Sequence, residues 1–309
     1  MKKKYLALLV ALTAVYAFFV YDTPVNHEQL AKYHLSTTAD HWLLASVVVL
    51  LFLIWFAAVY GFSKFKDYAE TIKTRQDGHH LAEVAVGLGV LAFGLVISSV
   101  LSSALQDVSV RNIQMVPRTV IIQNYISLVI AGVSYYLIYK GAKQLAGLVK
   151  EKPKSDLKKW WFWAYLVLAV VYVYSALNSS DKNTVATTTK HGLFYLPDAL
   201  LLVTLLLPYV VVWYLGIRGP IYLAFYQNKT KGTIYKSALR SLSTGLMIVV
   251  LLTILTQFLS IVAVSHSDSL ANASLDTLLV IIYVLIGLIA AGFLVIARGA
   301  KKLKLIEEV

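Results

Sequence analysis

The chain has 309 residues, 59% hydrophobic and only 14% charged, with a mean hydropathy of +0.70; soluble domains carry about 25% charged residues, so a water-exposed globule is excluded and a bilayer is the expected solvent. Cysteine is absent, which removes disulfides, thiolate metal sites, iron–sulfur clusters and cysteine nucleophiles. The formal net charge of +12 is segregated by membrane side and forms no stripe that would imply nucleic acid.

Eight apolar runs, each near the length needed to cross a hydrocarbon core of about 30 Å, are expected as helices over 5–21, 41–62, 83–105, 119–139, 160–177, 195–216, 238–264 and 277–297. The first, behind Lys2, Lys3 and Lys4, has the basic head and the small residues Ala14 and Ala17 of a cleavable signal peptide. Its match to the fifth run, which cannot be one, favours a retained span. Asp40 opens the second run and Asp198 the sixth, each with a histidine upstream, His34 and His191. As helix-capping residues both aspartates are accounted for; the alternative is a divalent metal held by His34, Asp40, His191 and Asp198, although the spacing matches no dedicated metal motif.

In the third run Ser98, Ser99, Ser102 and Ser103, and in the seventh Thr253, Thr256, Gln257 and Ser260, recur at spacings of three and four, which puts most of each set on one helical stripe. Such residues turn away from lipid. They either glue helices together or line a weakly polar path, for which Gln257 is the most informative member because a buried amide wants several partners. Glu83 and Arg240, at the near-equivalent inner ends of the same two runs, are candidates for an ion pair; two solvated interfacial charges are the simpler reading.

The fourth run ends in Lys140-Gly141-Ala142-Lys143 and the eighth in Arg298-Gly299-Ala300-Lys301, 158 residues later. That displacement also carries Asp40 to Asp198, Trp55 to Trp213, Gly61 to Gly219 and Tyr68 to Tyr226, and with small gaps Tyr16 falls on Tyr172 and Ser103 on Ser260. The expected fold is therefore all-α and polytopic. A four-helix repeat over 1–150 and a second over 160–309, joined by a basic cytoplasmic linker at 151–159, would point the same way about a pseudo-two-fold axis along the membrane normal. Each Gly in the repeated phrase would permit close packing or a helix ending.

With both termini cytoplasmic, only Lys32, Arg111, Arg118, Lys182 and Lys190 of the 28 Lys and Arg fall on the outer side. This is the positive-inside pattern of a cell-membrane protein, and its inner excess attracts anionic lipid headgroups. No run has an ionisable residue near its centre, against proton relays and charge-coupled transport. Phosphate loops, HExxH and nucleophile elbows are missing as well, so neither an enzyme nor a cofactor is expected. Two functions remain: a permease or channel-like carrier for an uncharged or lipophilic solute, and a non-catalytic membrane subunit or scaffold with other protein partners.

Overall fold

The computed structural model describes residues 1–22, 37–72, 76–111, 116–149, 160–177, 198–229, 233–265 and 273–307. Among them all regular structure is α-helical: α1 (Lys3–Asp22), α2 (Thr37–Thr71), α3 (Gln76–Arg111), α4 (Val116–Gly147), α5 (Trp160–Leu177), α6 (Asp198–Lys229), α7 (Thr233–Ser265) and α8 (Ala273–Glu307). Long Leu-, Val-, Ile- and Ala-rich segments close every backbone hydrogen bond within themselves, which is what hydrocarbon demands of a spanning segment. Six helices are long and apolar enough to cross a membrane, namely α1, α2, α3, α4, α7 and α8. α5 is apolar but short over its described part, Trp161–Tyr172. α6 holds Pro208 and Pro220 in its interior together with Arg218. Eight spans were expected, and six meet the criterion over the described residues.

The helices outrun the apolar segments. α2 continues to Thr71 and α3 starts at Gln76, so most of what hydropathy marks as a loop between the second and third runs is helical. At about 1.5 Å per residue α2 is roughly 52 Å long, more than the 40–45 Å or so of a whole bilayer, and its last turns are polar. Polar contacts collect there. Lys2 Nζ lies 3.2 Å from Glu70 Oε2 and 3.8 Å from Asp67 Oδ1, and Lys66 Nζ donates to Tyr5 Oη at 3.2 Å. The hydrogen bond and charge of Glu70 hold the Lys2 ammonium above its ordinary range.

The principal packed pairs repeat in order. α1 packs on α2 and α3, α2 on α3, and α3 on α4; α5 packs on α6 and α7, α6 on α7, and α7 on α8. Between the halves α4 packs on α6 and α8 on α2. This set is unchanged when α1–α4 are exchanged with α5–α8.

Side-chain detail follows the same exchange. A Cβ on Gly87 would sit 2.8 Å from Ser134 O and 3.0 Å from Ile138 N; one on Gly245 would sit 2.8 Å from Gly292 O and 2.9 Å from Ile296 N. Every residue in the second set stands 158 after its counterpart in the first. The repeated phrase behaves likewise: Gly141 faces His80 O and Val84 N of α3, while Gly299 faces Ala238 O and Leu242 N of α7. Of the two roles expected for this glycine, close packing is the one observed, because both lie inside continuous helices. Tyr16 meets Trp55 edge-on with centroids 5.2 Å apart, and Tyr172 meets Trp213 at 4.7 Å.

Candidate functional site

A cavity of about 190 Å³ lies between the halves, bounded by α2, α3, α4, α7 and α8. Its wall contains Leu95 and Thr253, Ser98 and Thr256, and Ala131 and Ile289. Each pair is separated by 158 residues, so the two halves present corresponding positions to one space. The cavity leans toward α2, whose Leu51, Ile54 and Trp55 line it. On the α6 side the positions 158 later are Tyr209, Val212 and Trp213, which are buried in the main core.

The hydroxyls are largely committed to their own helices. Ser99 Oγ donates to Leu95 O at 2.9 Å, Thr253 Oγ1 to Val249 O at 2.7 Å and Thr256 Oγ1 to Leu252 O at 2.8 Å. Their protons spent, these oxygens offer acceptor lone pairs to anything that occupies the cavity. One turn beyond Ala131, the fully buried Tyr135 places its hydroxyl near Thr253. Among the described residues no ionisable side chain borders the space. The lining is thus weakly polar, uncharged, and without a ready site for an ion.

Four of the eight expected lining residues, Ser98, Ser99, Thr253 and Thr256, meet here. Ser102 is engaged elsewhere, accepting from Gln123 Nε2 at 2.9 Å, and Ser103 is half-buried on α3 outside the lining. The side chains of Gln257 and Ser260 lie outside the described residues. Trp55, Gly94, Ser127 and Ile130 are lining residues that stripe reasoning did not select; the 158-residue match of Trp55 was the available signal.

The candidate Glu83–Arg240 pair is not what forms. Glu83 Oε1 accepts from Lys140 Nζ at 2.8 Å, because α3 packs against α4, which carries the first copy of the repeated phrase, whereas Arg240 is exposed on α7. Of the proposed metal ligands, His34 and His191 lie outside the described residues, and Asp40 and Asp198 fall in the first turns of α2 and α6 with their side chains undescribed. Among the described residues no group of three or more His, Asp or Glu could hold a metal ion.

At the end of the bundle where α2 and α6 finish, a second pseudo-symmetric cluster closes the interface. Tyr68 Oη lies 3.4 Å from Tyr235 Oη, and Tyr226 Oη and Tyr235 Oη each donate to Asp77 Oδ2 at 3.5 Å. Tyr68 corresponds to Tyr226 and Asp77 to Tyr235 at the 158-residue displacement, so the Tyr68–Tyr235 contact mirrors the Tyr226–Asp77 one. Asp77 is buried, and Tyr68 fully so. Hydropathy could not find this cluster, since it falls on the helix extensions beyond the apolar runs.

No known protein family, curated protein or solved structure matches this chain. What the molecule does must be argued from its own geometry.

Proposed function

We propose that the chain is a duplicated membrane protein of eight spans, its halves parallel about an axis along the membrane normal, with both termini cytoplasmic. On this reading it is a permease or channel-like carrier whose central cavity holds a small uncharged or lipophilic solute. The observation that carries the proposal is the cavity itself, to which both halves contribute corresponding residues, hydroxyl-bearing ones among them, with no charge in the wall. At about 190 Å³ it is smaller than the 300–1,000 Å³ or so of sites for drug-sized ligands, which restricts the solute to a few heavy atoms. The Tyr68, Asp77, Tyr226 and Tyr235 cluster serves as the cytoplasmic closure, so passage requires these contacts to part.

The test is osmotic. Proteoliposomes are challenged with glycerol and urea as uncharged probes, and volume recovery is followed by stopped-flow scattering for the wild type and for Ser98→Phe and Thr256→Phe, which fill the cavity from either half. Recovery in both variants should fall about tenfold toward that of empty vesicles, an added barrier of about 1.4 kcal/mol, with the melting temperature kept near the wild-type value. Equal recovery in wild type and variants, or none above empty vesicles, would defeat the carrier reading and leave the chain as a membrane subunit whose partners should co-purify in mild detergent.

A further inference from the structure

A second concavity is larger than the central one. A groove of about 810 Å³ opens between α6 and α7 toward their cytoplasmic ends, with Lys236 and Arg240 exposed on its rim. Its polar floor is built: Gln227 and Ser243 are both buried, Ser243 Oγ donates to Gln227 Oε1 at 3.1 Å, and Gln227 Nε2 approaches Asn228 Oδ1 at 3.4 Å. From there the lining turns apolar through Met247, Ile248 and Leu251. Arg240 to Leu251 is eleven residues of helix, about 16 Å, close to the thickness of one hydrocarbon leaflet, about 15 Å.

We infer that this groove is a binding site for one anionic phospholipid of the cytoplasmic leaflet, its phosphate held by Lys236 and Arg240 and one acyl chain laid along Met247, Ile248 and Leu251. The cations select a negative headgroup. The apolar arm, set on a helix that itself can span the membrane, selects an amphiphile over a free anion. The chain's own linker is a poor occupant, since residues 150–159 bring five lysines against Glu151 and Asp156 and would be repelled by the rim.

The positions 158 earlier show how the charge came to differ. Where the second half has Asn228, Lys236 and Arg240, the first has Glu70, Gly78 and Ala82, and there Glu70 is paired with Lys2. In the first half the carboxylate takes a lysine from its own chain; in the second that position is a neutral amide and two exposed cations stand nearby, where among the described residues Lys236 Nζ donates only to the Asn228 carbonyl at 3.4 Å. The comparison relies on the duplication proposed above. The site is independent of whether the central cavity conducts.

The experiment uses the full-length protein, delipidated in neutral detergent and titrated with phosphatidylglycerol, phosphatidylcholine or inorganic phosphate under native mass spectrometry. The wild type should retain one phosphatidylglycerol about thirtyfold more tightly than phosphatidylcholine, given roughly 1 kcal/mol for each of the two cations near an anionic lipid. The Lys236→Gln/Arg240→Gln variant should lose that preference at an unchanged lipid-free melting temperature. Ile248→Trp, which fills the apolar arm and spares both cations, should weaken phosphatidylglycerol severalfold, and Lys301→Gln/Lys304→Gln, at another basic surface, should leave it unaltered. Retention that survives loss of both rim cations would overturn the site, and so would an equal loss in the Lys301/Lys304 variant, which would make the attraction general. Phosphate binding as tightly as the lipid, with Ile248→Trp silent, would reduce the groove to a free-anion site and overturn the lipid assignment.

Discussion

Replacing Trp213 with alanine is expected to lower the unfolding free energy by about 3 kcal/mol, and replacing Trp55 by roughly half as much, although the two residues hold corresponding places 158 apart. Large-to-small substitution of a buried indole in a soluble core costs about 3–5 kcal/mol. Lipid solvates an exposed indole better than water does, so the transfer part shrinks and the lost packing dominates. Trp213 is completely buried, with Tyr172 at 4.7 Å and Tyr209 at 6.0 Å between ring centroids; its removal empties a filled volume. Trp55 already borders the cavity of about 190 Å³, so part of its surface has no partner atoms to lose. Reversible denaturation of both variants in mixed micelles would measure the difference. A Trp55→Ala cost equal to or above that of Trp213→Ala would mean that the cavity is filled in the folded protein and that the asymmetry between the halves is misread.

The amount of structure legible beforehand varied with solvent. Helix centres are fixed by hydrocarbon, which leaves a run of apolar side chains that composition alone reveals. Helix ends are not: Lys64 to Ile72 read as loop because the residues are polar, yet α2 carries that stretch on to Thr71, held by Phe65, Tyr68 and Ala69 buried against the rest of the bundle. The 158-residue displacement was visible in Gly, Trp and Tyr, while the charges at positions 158 apart differ. The candidate Glu83–Arg240 pair does not form, and Arg240 is an exposed charge as the simpler reading has it. Near-equivalent positions on α3 and α7 suggested a partner across the axis, but the neighbour that packs on α3 is α4, and it supplies Lys140. Half of the expected lining met in one cavity because the spacing of Ser98, Ser99, Thr253 and Thr256 fixes a helix face. Which level of that face borders empty space depends on how Ile130 of α4 packs onto Gly94, and no single-helix pattern contains that.

Gly87→Val and Gly245→Val should each abolish a monodisperse folded protein in mild detergent or lower its melting temperature by about 6–12 °C, taking roughly 3 kcal/mol of strain at about 2–4 °C per kcal/mol. The strain lies at the upper end of overpacking because in both cases the new Cβ meets a carbonyl oxygen at 2.8 Å, Ser134 O for Gly87 and, beside Ile296 Cγ1 at 2.7 Å, Gly292 O for Gly245, fixed in a neighbouring helix and unable to rotate away. Between helices in lipid, where apolar burial gives little driving force, such backbone contact is a main source of association. The two variants should not be equal. Ser134 Oγ donates to Gly87 O at 2.8 Å, and forcing α3 and α4 apart breaks that bond as well; the corresponding residue in the second half is Gly292, which has no side chain to lose. A buried hydrogen bond is worth about 1 kcal/mol, so Gly87→Val should be the more damaging by about that amount, and Ser134→Gly in the Gly87→Val background should add little further loss. Gly287→Ala is the control: nothing lies within 4 Å of its Cβ position, and exchanging an exposed helical glycine for alanine should leave stability unchanged or raise it by up to about 1 kcal/mol. If Gly245→Val melts below Gly87→Val, the α7–α8 contact is the tighter one and the hydrogen bond to Ser134 contributes nothing; if Gly287→Ala is as damaging as either, the losses report glycine in general and not close helix approach.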